Sequence, residues 1–283
     1  MTGGVRPRVA VIGHIEWLTH GIGPMPRPGE ITYLTEPFDE PAGGGGVSAA
    51  QVAKLGADCH FYTALGSDET GRRAGQRLGE EGVNVLAARH EGPHTRALSA
   101  VVELGGDRAI VVVGQAVSAR IDDPLPWDDL ALCDAAFFTG HDAQTLVAGR
   151  RAKHLVVTSR RLAQLIESGV RPDVLIASDA DESERVDTRD LPVPPAAIVW
   201  TEGGDGGRYL LANGTAGRWT AAPLPGAPVD SYGCGDSFAA GVTVGLGRGL
   251  GLDGALALGA RCGAHCLTGR GALGSQLVEA SGG

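Results

Sequence analysis

Short apolar runs that end in glycine or a polar residue recur along the chain: Arg8–Gly13, Cys59–Leu65, Ala135–Thr139, Leu155–Thr158, Val174–Ala177 and Ala197–Thr201. Runs of this length, rich in Val, Ile, Leu, Phe and Ala, fit strands buried on both faces, the pattern of a parallel sheet covered by helices. The strand, glycine turn, helix rhythm restricts the chain to the α/β class. Helices are expected over Val47–Leu55 with Gly56 as the cap, from the Gly66–Gly71 turn through Gly79, over Phe238–Leu246, and over Leu252–Thr268.

Two stretches depart from that rhythm. Gly29–Glu36 alternates and is rich in Thr and Tyr, which predicts a strand with one exposed face. Thr95–Glu103 and Arg108–Val113, joined by Leu104-Gly-Gly-Asp107, predict a hairpin. Together they would make a small sheet outside the main layer, and a sheet beside the strand ends would act as a lid. The expected organisation is one α/β domain over 1–283, with a β lid from about 28–38 and 94–114.

Composition narrows the chemistry. Glycine accounts for 45 of 283 residues, against a usual share of about 7%, and it clusters in loops between apolar runs. Lysine occurs only at Lys54 and Lys153, neither preceded by glycine, so a GxxxxGK[ST] phosphate loop is impossible. Phosphate, if bound, must be held by backbone amides, arginine or a metal. A formal net charge of −9 disfavours nucleic-acid backbones and anionic lipid surfaces, so the expected partner is a small molecule. The apolar runs are too short to span a bilayer. Five scattered cysteines without a CxxC pair indicate neither a disulfide framework nor a zinc cage, and Cys262 with Cys266 reads as a packed helix face. Met1-Thr-Gly-Gly lacks a basic-then-apolar leader pattern, and the cytoplasm is the expected compartment.

Chemistry is densest at Asp230-Ser-Tyr-Gly-Cys-Gly-Asp236. Gly233 and Gly235 allow positive φ and close approach of a ligand to the main chain. The apolar run that follows would aim a helix N-terminus into the same turn, forming an anion hole with Asp236 placed as a base. An N-cap with neighbouring glycines is the structural alternative.

Other candidate groups lie at strand ends, where open α/β sheets bind ligands. Glu16 follows the first strand, and His141-Asp142 follows the strand ending at Thr139; exposed loop residues are the alternative for both. Gly43-Gly-Gly-Gly46 opens a helix and would let a ligand reach its N-terminus, or serve as a hinge. Gly44-x-Gly46-x-x-Ala49 fits a loose dinucleotide fingerprint, rejected because Glu36–Pro41 does not read as a buried strand. Asp179, Asp181, Glu182 and Glu184 suit a Mg²⁺ held through water, or a solvated helix start. Thr201-Glu-Gly-Gly-Asp-Gly-Gly207 is a second loop rich in backbone donors.

These residues resemble the ribokinase-like, or PfkB, family of carbohydrate kinases over nearly the whole chain. The family signature D-T-x-G-A-G-D is similar to Asp230–Asp236, with changes at Ser231 and Cys234. Gly43–Ala57 with Gly66-x-Asp68-x-x-Gly71 resembles its N-terminal glycine signature, and Thr201-x-Gly203-x-x-Gly206 resembles its nucleotide loop. The resemblance implies a Rossmann-like three-layer sandwich, a mostly parallel central sheet and a β lid.

The same resemblance implies Asp236 as the base, with the amides of Gly233, Cys234 and Gly235 holding the γ-phosphate. It implies ATP as donor with Mg²⁺, dimerisation through the lid, and in some members a monovalent cation such as K⁺ on the carbonyls of Asp230 and Tyr232. Nucleotide contacts would fall to Thr201, Gly203, Gly206 and Ser178, and acceptor contacts to Glu16, Gly43, Gly44, Val47, His141 and Asp142. Three departures stand out: Glu16 replaces an aspartate, Val47 replaces a substrate-binding asparagine, and Ser178–Asp181 replaces N-x-x-E, keeping a carboxylate at Asp181.

The leading expectation is an ATP-dependent kinase for a hydroxyl on a sugar or sugar-like molecule. A nucleoside kinase is the close rival. A catalytically weak sugar-binding or regulatory relative is a second class, suggested by Val47 and Ser178. A nicotinamide oxidoreductase is disfavoured by the missing strand before Gly43.

Overall fold

A computed structural model of the chain describes residues 6–91, 95, 97–102, 108–187, 189 and 191–279. In chain order the first half runs β1 (Arg8–Gly13), β2 (Glu16–Ile22), β3 (Thr35–Ala42), α1 (Gly43–Lys54), β4 (Asp58–Gly66), α2 (Glu69–Glu80) and β5 (Asn84–His90). Next come β6 (Ala97–Val102), β7 (Arg108–Val113), β8 (Ala135–Thr139), α3 (Ala143–Gly149), β9 (His154–Thr158), α4 (Leu162–Ser168) and β10 (Val174–Ser178). β11 (Ala197–Thr201), β12 (Gly207–Leu211), β13 (Ala216–Trp219), α5 (Cys234–Gly247) and α6 (Gly251–Leu267) follow.

The main sheet has the order β13-β12-β11-β10-β9-β8-β1-β4-β5. Its strands from β11 to β5 run parallel, and β12 and β13 are antiparallel additions at one edge. Strand β1 alternates between the faces. Val9 and Val11 join a core with α1, α5 and α6, whereas Ala10 and Ile12 join a second core with Phe138 and Leu146. Two cores on opposite faces of one sheet make the three-layer α/β sandwich that the buried runs predict.

Chain order reverses beside β1: the chain first adds β4 and β5 on one side, then returns to add β8 on the other. Such a switch point leaves a crevice at the carboxyl ends of the strands. Here those ends are Gly13 and Thr139, which pair in register.

The second sheet has the order β3-β2-β6-β7, with β2 parallel to β6 and the other pairs antiparallel. It corrects the strand expected at Gly29–Glu36. Residues 23–34 hold a turn and no strand, and the sheet instead uses β2 and β3. Ile31 and Tyr33 are 78% and 80% exposed, so their alternation has no buried face to serve. The expected hairpin turn at Leu104–Asp107 lies outside the described residues, as does Met1–Gly4.

Strand β3 also changes the ground for rejecting the dinucleotide fingerprint. A strand does precede Gly43, but it is an edge strand of the second sheet with an exposed first half. Pro37 and Pro41 are tolerated there because an edge can lose N–H donors. Helix α1 begins at Gly43 rather than Val47, and α5 begins at Cys234 rather than Phe238. In both cases glycines or small polar residues form the first helical turn.

Close packing of α5 on α6 fixes where the α5 N-terminus points. A Cβ at Gly241 would stand 2.7 Å from the Gly259 Cα, and one at Gly245 would stand 2.6 Å from the Ala255 Cα. Only small residues at this crossing allow the two backbones to approach so closely.

Candidate active site

Helices α1 and α5 bring their N-termini together over the crevice. Ser48 Oγ in α1 donates to the Asp236 carbonyl at 3.1 Å. The Gly43 amide donates to Tyr232 Oη at 3.4 Å. Gly233 caps α5 with φ 80° and ψ 0°, the left-handed conformation that glycine adopts without strain. Ser237 N–H is bonded to the Gly233 carbonyl at 2.8 Å, so the amides just before it belong to the unsatisfied first turn of the helix. The Cys234 amide makes a longer bond, 3.4 Å, to the Ser231 carbonyl.

Asp236 lies in that first turn and is half-buried. A Cβ at Gly44 would stand 3.0 Å from Asp236 Oδ1 and 3.0 Å from Thr139 Oγ1. Gly44, Thr139 and Asp236 therefore meet at the switch point.

Asp230 holds the turn from below. It is 2% exposed; Oδ1 accepts from the Tyr232 amide at 2.9 Å and Oδ2 from the Gly271 amide at 3.1 Å. His20 Nδ1 of β2 stands 3.6 Å from Oδ2, and its ring stacks on Phe38 of β3. Glu40, at the end of β3, accepts from the Ala272 amide at 2.6 Å. The second sheet is thereby tied to the turn before α5 through buried carboxylates.

Glu16 is 3% exposed at the start of β2, with Oε1 3.4 Å from His14 Nε2. A Cβ at Gly43 would stand 3.1 Å from both Glu16 Cγ and His14 Cδ2. His14 Nδ1 lies 3.5 Å from Arg161 Nη2, and Arg161 Nε donates to the Thr139 carbonyl at 2.9 Å. The His141 ring meets the His14 ring edge-on at 5.0 Å. Glu16, Gly43, Gly44, His141 and Asp236 thus share one crevice.

Two expected acceptor contacts are placed differently. Val47 has no exposed surface and packs beneath the turn, its Cγ1 3.1 Å from a Cβ built on Gly233. It forms a floor under the Gly233 turn, not a wall open to a ligand. Asp142 caps α3: Oδ1 accepts from the Gln144 amide at 2.8 Å and Oδ2 from the Ile121 amide at 2.9 Å. Both carboxylate oxygens hold loops in place.

Ser178 and Thr201 end β10 and β11 in register with one another. The loop after Thr201 closes on itself, with the Glu202 amide donating to the Gly206 carbonyl at 2.8 Å and positive φ at Gly203 and Gly206. Arg208 ties the two strand ends together, pairing with Asp179 and, at 2.7 Å, with Glu202. The Arg208 hydrogen bond holds Asp179 below the ordinary carboxylate value.

Arg160, in the 3-10 turn after β9, lies within the electrostatic reach of Asp236. It pairs with Asp181 and with Glu184, each at 2.6 Å. Burial acts to lower the guanidinium's proton affinity, but Glu184, Asp181 and Asp236 together hold it above its ordinary value. Burial in turn raises Glu184, against the pull of Arg160. The Ser183 hydroxyl, ahead of Arg160, keeps Asp181 low.

Among the described residues no group of three or more His, Cys, Asp or Glu stands together as a metal cage. The donor set fits a Mg²⁺ carried by a nucleotide, because such an ion keeps most of its waters and needs only one or two carboxylates. Thr139, Arg160, Arg161, His14 and His20 belong to no contiguous motif, and only the fold brings them here.

The chain matches the family model described as pfkB family carbohydrate kinase over residues 7–278. No curated protein matches it significantly. Among solved structures it is similar to the Arabidopsis thaliana ribokinase complexed with ribose and ATP, at TM-score 0.79 and 18% identity over 98% of this chain and 97% of that one. The Methanocaldococcus jannaschii nucleoside kinase matches at TM-score 0.72 and 13% identity over 97% and 96% of the two chains. An adenosine kinase from Sinorhizobium meliloti matches at TM-score 0.71 and 16% identity over 93% and 94%.

Proposed function

The chain belongs to the pfkB family of carbohydrate kinases and is an ATP-dependent kinase of a sugar-like hydroxyl; we propose that Asp236 takes the proton from that hydroxyl. The hydroxyl oxygen attacks the γ-phosphorus, the bond to the β-phosphate oxygen breaks, and ADP leaves. The first-turn amides of α5 at Gly233, Cys234 and Gly235 stabilise charge on the transferred group, the role expected of preorganised donors. The observation that carries this reading is Asp236 in the first turn of α5, next to Gly44 and Thr139 at the switch point.

Arg160 supplies the cation that a lysine loop would otherwise bring, and Ser178, Thr201, Gly203 and Gly206 receive the nucleotide. Asp181 would hold Mg²⁺ through water, and the ion when bound neutralises charge on the β- and γ-phosphates. A monovalent cation on the carbonyls of Asp230 and Tyr232 would share them with thiols: Cys266 Sγ donates to the Tyr232 carbonyl at 3.3 Å, and Cys234 Sγ lies 4.0 Å from that of Asp230.

On the acceptor side, Glu16, oriented by His14, binds hydroxyls, with His141 at the rim. Gly43 and Gly44 let the acceptor reach the α1 N-terminus. With Val47 buried, it makes no acceptor contact in this arrangement. A nucleoside acceptor is the second reading, favoured by the likeness to two nucleoside-acting structures. The second sheet serves as the lid and as a homodimer surface: on its edge strand β7, Ile110, Val111, Val112 and Val113 are 39%, 59%, 51% and 60% exposed. No helix among the described residues is long and apolar enough to cross a membrane; the proposed compartment is the cytoplasm, where ATP is supplied.

The test is a screen of sugars and nucleosides for ADP release with Mg²⁺. Turnover is expected with a narrow set, and Asp236→Asn should lower kcat by roughly 10²- to 10⁴-fold with the fold intact. Full activity in that variant would overturn the base assignment. Tight binding of one compound without turnover would favour a binding or regulatory protein.

A further inference from the structure

Strand β8 is apolar until its last residue, Thr139, which is 3% exposed at the floor of the crevice. Three contacts fix how that threonine sits. Its backbone is in register with Gly13 of β1, and its carbonyl accepts from Arg161 Nε at 2.9 Å. Its Cγ2 methyl lies over Gly13, where a built Cβ would stand 2.6 Å from it. A β-branched side chain has few χ1 choices to begin with, so a packed methyl settles where the hydroxyl points.

The hydroxyl borders the space beside Asp236. A Cβ at Gly44 would stand 3.0 Å from Thr139 Oγ1 and 3.0 Å from Asp236 Oδ1, so both oxygens edge the gap that a glycine at 44 keeps open. They lie close enough for neighbouring oxygens of one small molecule to reach both. Among the described residues, no group hydrogen-bonds to the Thr139 hydroxyl, although buried hydroxyls are normally paired. Packing alone gives no reason for a hydroxyl here, because valine has the same shape and suits a strand equally well. The adjoining base does give a reason.

We propose that Thr139 is a specificity-determining residue of the acceptor site, its hydroxyl hydrogen-bonding the acceptor oxygen next to the hydroxyl that Asp236 deprotonates. The chemistry recognised is a reacting hydroxyl with a second oxygen, hydroxyl or ring ether, on the neighbouring carbon, as in a sugar or the ribose of a nucleoside. The threonine can donate to either kind of oxygen and can also accept from a hydroxyl. It takes no proton and forms no bond to phosphorus; it turns the acceptor so that the reacting hydroxyl meets Asp236. Strand β8, Gly13 and Arg161 hold the oxygen in place before the acceptor arrives, which makes the contact selective. The contact rests on the kinase reading of the crevice, with Asp236 as the base.

Thr139→Val and Thr139→Ser separate this role from a structural one, because acceptor affinity and stability should rank them in opposite orders. The full-length proteins are assayed for ADP release with Mg²⁺ and ATP against D-ribose, D-fructose, adenosine and inosine, and binding of the same compounds is measured by calorimetry. Thr139→Val should raise the KM and Kd of an accepted compound about 5- to 100-fold, while the KM for ATP stays within about 2-fold. Thr139→Ser keeps the hydroxyl and should recover most of that loss. In thermal unfolding Thr139→Val should melt at or slightly above the wild type, and Thr139→Ser, lacking the methyl over Gly13, about 1–4 °C below it. Unchanged acceptor KM and Kd in Thr139→Val would overturn the proposal, as would equal losses in both variants. A Thr139→Val protein that melts well below the wild type would overturn it too, by making the hydroxyl a structural group. Binding without turnover would remove the kinase reading and leave the Kd ratios to decide the contact. Turnover lost in Asp236→Asn but untouched in Thr139→Val would remove the contact and keep the kinase. A wild type that neither binds nor turns over any of these compounds would overturn both.

Discussion

Gly233 and Gly235 are two residues apart in the same turn, yet adding one methyl group to each should have opposite effects on stability. Gly233 has φ 80°, and a Cβ there would stand 2.6 Å from the Ala272 Cβ and 3.1 Å from Val47 Cγ1, both residues with no exposed surface. The left-handed backbone costs a non-glycine residue about 1–2 kcal/mol, and forcing a methyl into a packed core costs about 1–3 kcal/mol more. Gly233→Ala should therefore destabilise the fold by about 2–5 kcal/mol. Gly235 faces open space and lies inside the helix, where alanine is better than glycine by about 0.5–1 kcal/mol. Thermal unfolding followed by circular dichroism resolves the difference, because 1 kcal/mol moves Tm by about 2 °C in a chain of this size. Gly235→Ala should melt at or slightly above the wild type yet lose turnover, since its methyl enters the space assigned to the phosphate. Equal melting of the two variants would refute the argument that Gly233 is required by its conformation and its neighbours.

Two further outcomes follow from the electrostatics and from the second sheet. The Arg208 hydrogen bond holds Asp179 below its ordinary value, so this carboxylate adds stability above the ordinary aspartate range near about 4 and loses it as the pH falls further. Asp179→Asn should flatten the acid limb of a plot of urea midpoint against pH; superimposable acid limbs would remove Asp179 from the account. Val111→Lys places a charge on the exposed edge strand β7, where Val111 is 59% exposed, and should convert a dimer into a monomer by light scattering without changing Tm by more than about 2 °C. A wild type that is monomeric at micromolar concentration, or a variant that still dimerises, would remove the lid interface.

What the sequence made legible follows burial. Strands β8 to β11 are apolar through their middles and end in Thr or Ser, because helices cover both faces of that sheet, and their boundaries emerge within a residue or so. Strands β2 and β5 go unread because Glu-Trp-Leu-Thr-His-Gly-Ile and Asn-Val-Leu-Ala-Ala-Arg-His mix polar and apolar residues on partly buried surfaces. The helix starts at Gly43 and Cys234 are hidden for a different reason. Glycine disfavours helix interiors, and only tertiary demand for backbone approach places it in a first turn. Asp236 is legible because the phosphate turn is contiguous in sequence. Thr139, Arg160 and Arg161 are not, since they reach the site from the ends of β8 and β9 and carry no local signature. The place of Val47 in a motif suggests an acceptor contact, but its 0% exposure follows from packing against Gly233, which is 186 positions further along the chain.

The high glycine content and the scarcity of lysine have one structural explanation. Two helix N-termini and two strand ends converge on Asp236, and side chains on their backbones would collide: a Cβ at Gly13 would stand 3.0 Å from the Gly45 Cα, and one at Gly45 2.9 Å from the Gly13 carbonyl carbon. Glycine at these points lets amides and helix termini face the crevice directly. Full positive charge comes instead from Arg160 and Arg161, in the turn after β9. Arg160 is held by Asp181 and Glu184 and lies within the electrostatic reach of Asp236. A guanidinium paired with two carboxylates can exchange one of them for a phosphate oxygen without losing both partners, and it remains charged throughout. The acidic segment around Asp181 thus has a role in holding Arg160 ready, alongside any part it takes in water-mediated Mg²⁺ binding.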